Sequence, residues 1–95
     1  MKTYFVYILR CKDHSYYTGI TNNLVNRVNQ HNAGEDTNSY VFKRRPVKLV
    51  WYTEFNTVEN AIALEKQIKG WSRAKKEALI EGKYELLKDL AKKIF

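Results

Sequence analysis

Residues 3–11, TYFVYILRC, form an almost continuous apolar run rich in β-branched and aromatic side chains. Such a run predicts a strand buried on much of both faces. The polar KDHS at 12–15 interrupts it, and YYTGI at 16–20 resumes it, so the two segments read as a hairpin. His14 falls at the turn tip and reads as a solvated turn residue. The period then lengthens. Leu24, Val25 and Val28 place a narrow apolar face on a helix over 21–34, with Thr21 and Asn22 as capping candidates and Gly34 as its stop. Residues 35–46 are polar, then basic, and predict a loop closed by Pro46. Alternation over 47–55, VKLVWYTEF, predicts a third strand.

The strongest helical pattern is 56–71. Asn56 can cap it, Glu59 completes a capping-box-like pair, and Gly70 marks the end. Ser72 and Gly82 bracket a third helix over 72–82. A last amphipathic helix follows over 83–95, with Leu86, Leu87, Leu90 and Ile94 on one side. Lys92 and Lys93 near its end suit the helix dipole. The order β-β-α-β-α-α-α predicts an α+β fold, a small three-stranded sheet with helices against it. No repeat, low-complexity tract or linker divides the 95 residues, so one domain over 1–95 is expected.

Two features depart from plain packing. On the second helix, Val58, Ala61, Ile62, Leu64, Ile68 and Trp71 cover one broad side, and Glu65 falls inside that sector. Removing water from a carboxylate is costly, so Glu65 needs an arginine, a donor or a metal there. An edge position reaching solvent, or a structural salt bridge, would also satisfy it. On the first helix Arg27 and His31 are four apart and stack on one edge. Alone they read as a surface pair. Tyr7 and Tyr17 sit on the two strands of the proposed hairpin, which could bring their rings together.

Charge narrows the partner class. Seventeen basic against ten acidic residues give a formal net charge of +7, which draws a domain of this size toward polyanions, nucleic acid above all. The one cysteine, Cys11, excludes an internal disulfide framework and a Cys-x-x-Cys knuckle, and it reads as a buried small residue. The amino-terminal segment lacks a secretion signal, and nothing approaches the length of a membrane span. A reducing cytoplasm fits these features.

Phosphodiester cleavage needs an activated water, neutralisation of charge developing on phosphorus, and a metal or acid for the leaving oxygen. Tyrosine can take a proton if a metal or cation lowers its pKa, arginine clamps phosphate, and one carboxylate can hold a hydrated Mg²⁺. VYIL at 6–9, YYTGIT at 16–21, LVNRVNQH at 24–31 and ALEKQIKGWSRAKKEALI at 63–80 occur in that order. Together they resemble the GIY-YIG nuclease superfamily, and more narrowly its small stand-alone bacterial YhbQ-like group, an uncharacterised class. The resemblance runs over residues 3–80.

That resemblance implies a three-stranded antiparallel sheet flanked by helices. It implies that Tyr7 and Tyr17 match the two motif tyrosines, one a general base and the other orienting water or phosphate. Gly19 would match the motif glycine, Arg27 the arginine that stabilises the transition state, and His31 a helper in proton transfer. Glu65 would match the single metal-binding glutamate, holding Mg²⁺ or Mn²⁺. Phe5 stands where the first motif has glycine, Val6 where it has isoleucine, and Thr18 where the second has isoleucine. A late asparagine found in some members has no counterpart here.

The expected activity is a metal-dependent DNA endonuclease, weakly sequence-specific or structure-guided, of the kind used in DNA repair or recombination. The chain is expected to act as a cytoplasmic monomer, with RNA an open alternative substrate. Candidate phosphate contacts are Lys43, Arg44 and Arg45 in the loop, and Lys66, Lys69, Arg73, Lys75 and Lys76 around the second and third helices. Trp71 could stack on a base but reads better as a helix-junction residue. The alternatives are a nucleic-acid-binding module with little intrinsic cleavage, and a basic face that meets an acidic protein.

Overall fold

The computed structural model describes residues 2–83. The helix predicted over 83–95 lies outside them, apart from Lys83. Strand β1 spans Tyr4–Arg10, β2 Tyr16–Thr21 and β3 Lys48–Phe55. Helix α1 spans Leu24–Ala33, α2 Val58–Lys69 and α3 Arg73–Ile80. The sheet is antiparallel throughout, in the order β2-β1-β3. The predicted α+β class and three-stranded sheet hold, and so does the element order as far as α3.

β1, the most apolar segment, takes the centre, and Val6, Tyr7, Ile8 and Leu9 are each 0% exposed. Successive strand side chains point to opposite faces. Val6 and Ile8 therefore pack with Ala61 and Ile68 of α2 and with Ala78 and Leu79 of α3. Tyr7 and Leu9 pack on the other side with Cys11, Val41 and Val47, and Leu24 and Val28 of α1 border that cluster. Two cores, divided by one strand, explain why the run has no polar alternation. Along β3, Ile8 pairs with Trp51 but Leu9 with Leu49, so Val50 is an extra residue that kinks the edge.

Local details differ from the sequence reading by single residues. The cap of α1 is Asn23, whose side chain accepts from the Asn26 amide at 3.1 Å. Thr21 instead braces that cap, its hydroxyl accepting from the Asn23 amide. α2 is capped by Thr57 rather than Asn56, and Ser72 caps α3 as expected. Gly34 ends α1 at φ 71°, the left-handed region where a side chain is strained. Ile62, placed by period on the apolar side of α2, is 40% exposed, because the sheet covers only the Ala61–Ile68 line.

The segment 35–46 is more ordered than its composition suggests. It carries a short 3₁₀ turn, Phe42–Arg44, and inserts Val41, 1% exposed, into the core beside Tyr7. Asn32 fastens it. Its amide group donates to the Val47 carbonyl at 3.1 Å, and its side-chain oxygen accepts from the Val47 amide at 2.8 Å. Asn32→Ala leaves both Val47 backbone groups without these partners. It should lower stability by about 1–2 kcal/mol in denaturant unfolding, with the m-value unchanged.

Candidate active site

The pairing of β1 with β2 sets Tyr7 opposite Gly19 and Leu9 opposite Tyr17. Tyr7 and Tyr17 are thus diagonal neighbours on one face, with ring centroids 6.3 Å apart. The Tyr7 ring lies over Gly19. A Cβ at Gly19 would press against the Tyr7 oxygen and sit 2.5 Å from its Cζ. Here glycine is needed for space rather than for an unusual backbone angle.

Helix α1 crosses the same face. His31 Nε2 lies 3.1 Å from the Tyr7 oxygen, and its ring meets Tyr17 edge-on at 5.4 Å. Arg27, one turn earlier, is close enough for its positive charge to draw the Tyr7 pKa down. Glu65 comes from α2, across the sheet. Its side chain is only 16% exposed and pairs with Lys69 Nζ at 3.0 Å. Its negative charge still reaches Tyr7 and raises the phenol pKa. Tyr17, Gly19, Arg27 and His31, drawn from β2 and α1, thus surround the Tyr7 phenol, and Glu65 acts on it through its charge.

Burial dominates the electrostatics. It pushes the Tyr7 phenol up to about 12, helped by Tyr17 and Glu65, and the opposing pull of Arg27 does not offset it. The sequence reading invoked a cation that lowers a tyrosine pKa; here the guanidinium only moderates a rise. Burial also lowers His31, with Arg27 adding to the effect and Asp36 resisting it. At neutral pH the pair is accordingly a protonated phenol beside a neutral imidazole.

Beside this cluster opens a cleft of about 380 Å³ lined by Arg27, Gln30, His31, Glu35, Asp36 and Val41. The sequence reading passed over Gln30, Glu35 and Asp36, and also Tyr40, which stacks on Tyr17 at 6.1 Å and 21°. Gln30 was discoverable, since it lies three residues from Arg27 on one helix edge. The other three sit in a segment whose shape no periodicity announces.

The basic candidates do not gather at the site. Arg44 bonds Asp13 at 3.0 Å and the Tyr40 carbonyl at 2.8 Å, and it lies 3.9 Å from the Tyr40 ring. Arg45 donates to Phe42 and Asn32 carbonyls. Both guanidiniums brace their own loop, whereas Lys43 beside them is exposed. On the α2–α3 side Lys66 is exposed, Lys69 holds Glu65, and Lys76 is partly buried. Arg73 pairs with Glu77, donates to the His14 carbonyl and covers the Tyr16 ring. Lys75 lies over Trp71, whose ring packs against the α2–α3 core rather than standing free for a base.

Gly19→Ala should displace the Tyr7 ring and cost about 1–3 kcal/mol in thermal or denaturant unfolding, as overpacking does. Tyr7 also makes stability pH-dependent. Its folded pKa lies above the unfolded value of about 10, so its contribution is complete below pH 10 and is lost as pH rises toward 12. In an ultraviolet titration one tyrosine should ionise late, near pH 12, and Tyr7→Phe should lack that component.

Residues 3–78 match the family model described as the GIY-YIG catalytic domain. A UPF0213 protein of Haloquadratum walsbyi is 44% identical over 78 residues, covering 82% of this chain and 86% of that one. UPF0213 protein YazA of Bacillus subtilis is 42% identical over 80 residues, covering 84% and 80%. Among solved structures, a UPF0213 protein from Bacillus halodurans shares 39% identity with a TM-score of 0.55, over 83% of each chain. A protein from E. faecalis shares 30% identity with a TM-score of 0.61, over 88% of each chain. The chain belongs to the GIY-YIG family, and within it the chain is similar to UPF0213 proteins.

Proposed function

We propose that this chain is a metal-dependent endonuclease that hydrolyses DNA phosphodiester bonds with weak sequence preference or guidance by DNA shape. The observation that carries the reading is the convergence on Tyr7. A buried hydroxyl meets an imidazole at 3.1 Å and packs beside a second tyrosine, and it feels the charges of a guanidinium and a carboxylate. Packing alone does not call for that set. The GIY-YIG match adds support from the family side.

The donor set suits a hydrated divalent cation. Glu65 is a largely buried carboxylate, and Mg²⁺ commonly binds through one or two carboxylates, several waters and substrate phosphate. The described residues contain no group of three or more His, Cys, Asp or Glu side chains able to form an all-protein cage. Glu65 would hold the ion, with Lys69 moving aside, and the ion would supply charge neutralisation at the leaving oxygen.

The remaining work belongs to side chains. Arg27 would grip the scissile phosphate and stabilise the charge that develops on its oxygens. The Tyr7 hydroxyl, protonated and bonded to neutral His31, would pass its proton to His31 Nε2 as it takes one from the attacking water. Tyr17 would orient that water or the phosphate. The segment 35–46 would wall the site and limit solvent access.

The test is cleavage of labelled single-stranded, duplex and branched DNA with Mg²⁺ or Mn²⁺, with binding followed in parallel. Glu65→Gln and Tyr17→Phe should each reduce cleavage by about 100-fold or more and leave DNA affinity nearly unchanged. Binding without cleavage by the wild type on every substrate would instead favour a nucleic-acid-binding module.

A further inference from the structure

The cleft beside Arg27 carries a charge pattern that phosphate binding does not explain. The chain has ten acidic residues against seventeen basic ones, yet Glu35 and Asp36 both line this cleft. They share it with a guanidinium, an amide, an imidazole and the aliphatic floor of Val41. Two carboxylates would repel a second phosphate, so the DNA backbone cannot simply continue along this wall. The Arg27 guanidinium that shares the cleft opposes a cation there. What fits is a neutral group, rich in donors, attached to the phosphate that Arg27 holds.

We propose that this cleft takes the nucleoside adjoining the phosphate held by Arg27, unpaired, and that Glu35 reads its base, with guanine favoured. The inference rests on the reading of Arg27 as the phosphate clamp. At about 380 Å³ the cleft falls at the small end of ligand sites, roughly 300–1,000 Å³, which suits one nucleoside. Arg27 and Glu35 line the same cleft, so one ligand can meet both. Glu35 stays near the end of α1 because its amide bonds the Gln30 carbonyl at 3.3 Å.

A carboxylate only accepts hydrogen bonds, so it selects donors. Guanine offers two side by side, N1–H and the N2 amino group, which match the two carboxylate oxygens. Cytosine and adenine each present one amino group on that edge. Thymine presents a single N–H between two carbonyls that the carboxylate repels. In a duplex this edge is occupied by pairing, so the base must be unpaired to be read. Asp36 is the lesser reader, because one of its oxygens already accepts from the Asn38 amide at 3.0 Å.

The test follows backbone amide signals of residues 27–36 in the full chain during titration with dGMP, dCMP, dAMP, dTMP and inorganic phosphate. All five should move the Arg27 region. dGMP should bind tightest and dTMP weakest, about fivefold apart. Glu35→Ala should abolish that gap and leave inorganic phosphate bound equally or more tightly. Asp36→Asn, which keeps the oxygen facing Asn38, should retain most of it. Equal affinity for the four nucleotides, or a gap that survives Glu35→Ala, overturns the proposal. Arg27→Ala separates the two readings. If it leaves inorganic phosphate binding intact, the clamp itself is wrong. If it removes phosphate binding while the wild type shows no base preference, only the base reading fails.

Discussion

The site depends on the burial of one hydroxyl. Tyr7 stands on the central strand with no exposed surface, and a buried phenol must find partners or lose the hydrogen bonds that water gave it. The chain provides them from α1, where His31 and Arg27 sit one turn apart, and makes room for the ring by leaving position 19 without a side chain. The order of β2 beside β1, the register that sets Tyr7 against Gly19, and the passage of α1 over that face all serve the same contact.

The sheet divides labour between its faces. One face carries the α2–α3 core, the larger apolar cluster, and it anchors the domain. The other carries the Tyr7 cluster beneath α1 and the segment 35–46. That segment has little regular structure, so side chains hold it in place. Arg44 reaches the hairpin turn through Asp13, the Lys12 amide donates to the Arg44 carbonyl at 2.9 Å, and Arg45 ties back to α1 through the Asn32 carbonyl. Residues that read as phosphate contacts by charge thus brace the wall of the site. An arginine can do this because its planar fork serves several carbonyls at once.

Much of the architecture was legible because its periods were strong. The β1 run, the 56–71 helix and the glycine stop after α1 announced themselves. The caps slipped by one residue, since Asn22, Asn23, Asn56 and Thr57 are all chemically able to cap and only the chain path chooses. Glu65 was marked by a carboxylate on an apolar stripe, and the structure gives it a lysine partner on its own helix. Tyr40, Glu35 and Asp36 were invisible, because a loop's contribution to a site depends on where its ends are pinned. The same limit applies to the arginines, since charge in a sequence carries no information about what already neutralises it.

The central claim is that the oxygen of Tyr7 performs chemistry and does more than satisfy a buried contact. Tyr7→Phe removes that oxygen and keeps the ring over Gly19. The decisive measurement is metal-dependent DNA cleavage by this variant, beside the wild type, with folding verified by the unfolding midpoint. The account predicts a folded protein whose cleavage rate falls by about 100-fold or more, the scale of a lost proton-transfer group. A folded Tyr7→Phe chain that cleaves at the wild-type rate would contradict it and reduce the Tyr7–His31 bond to a packing contact.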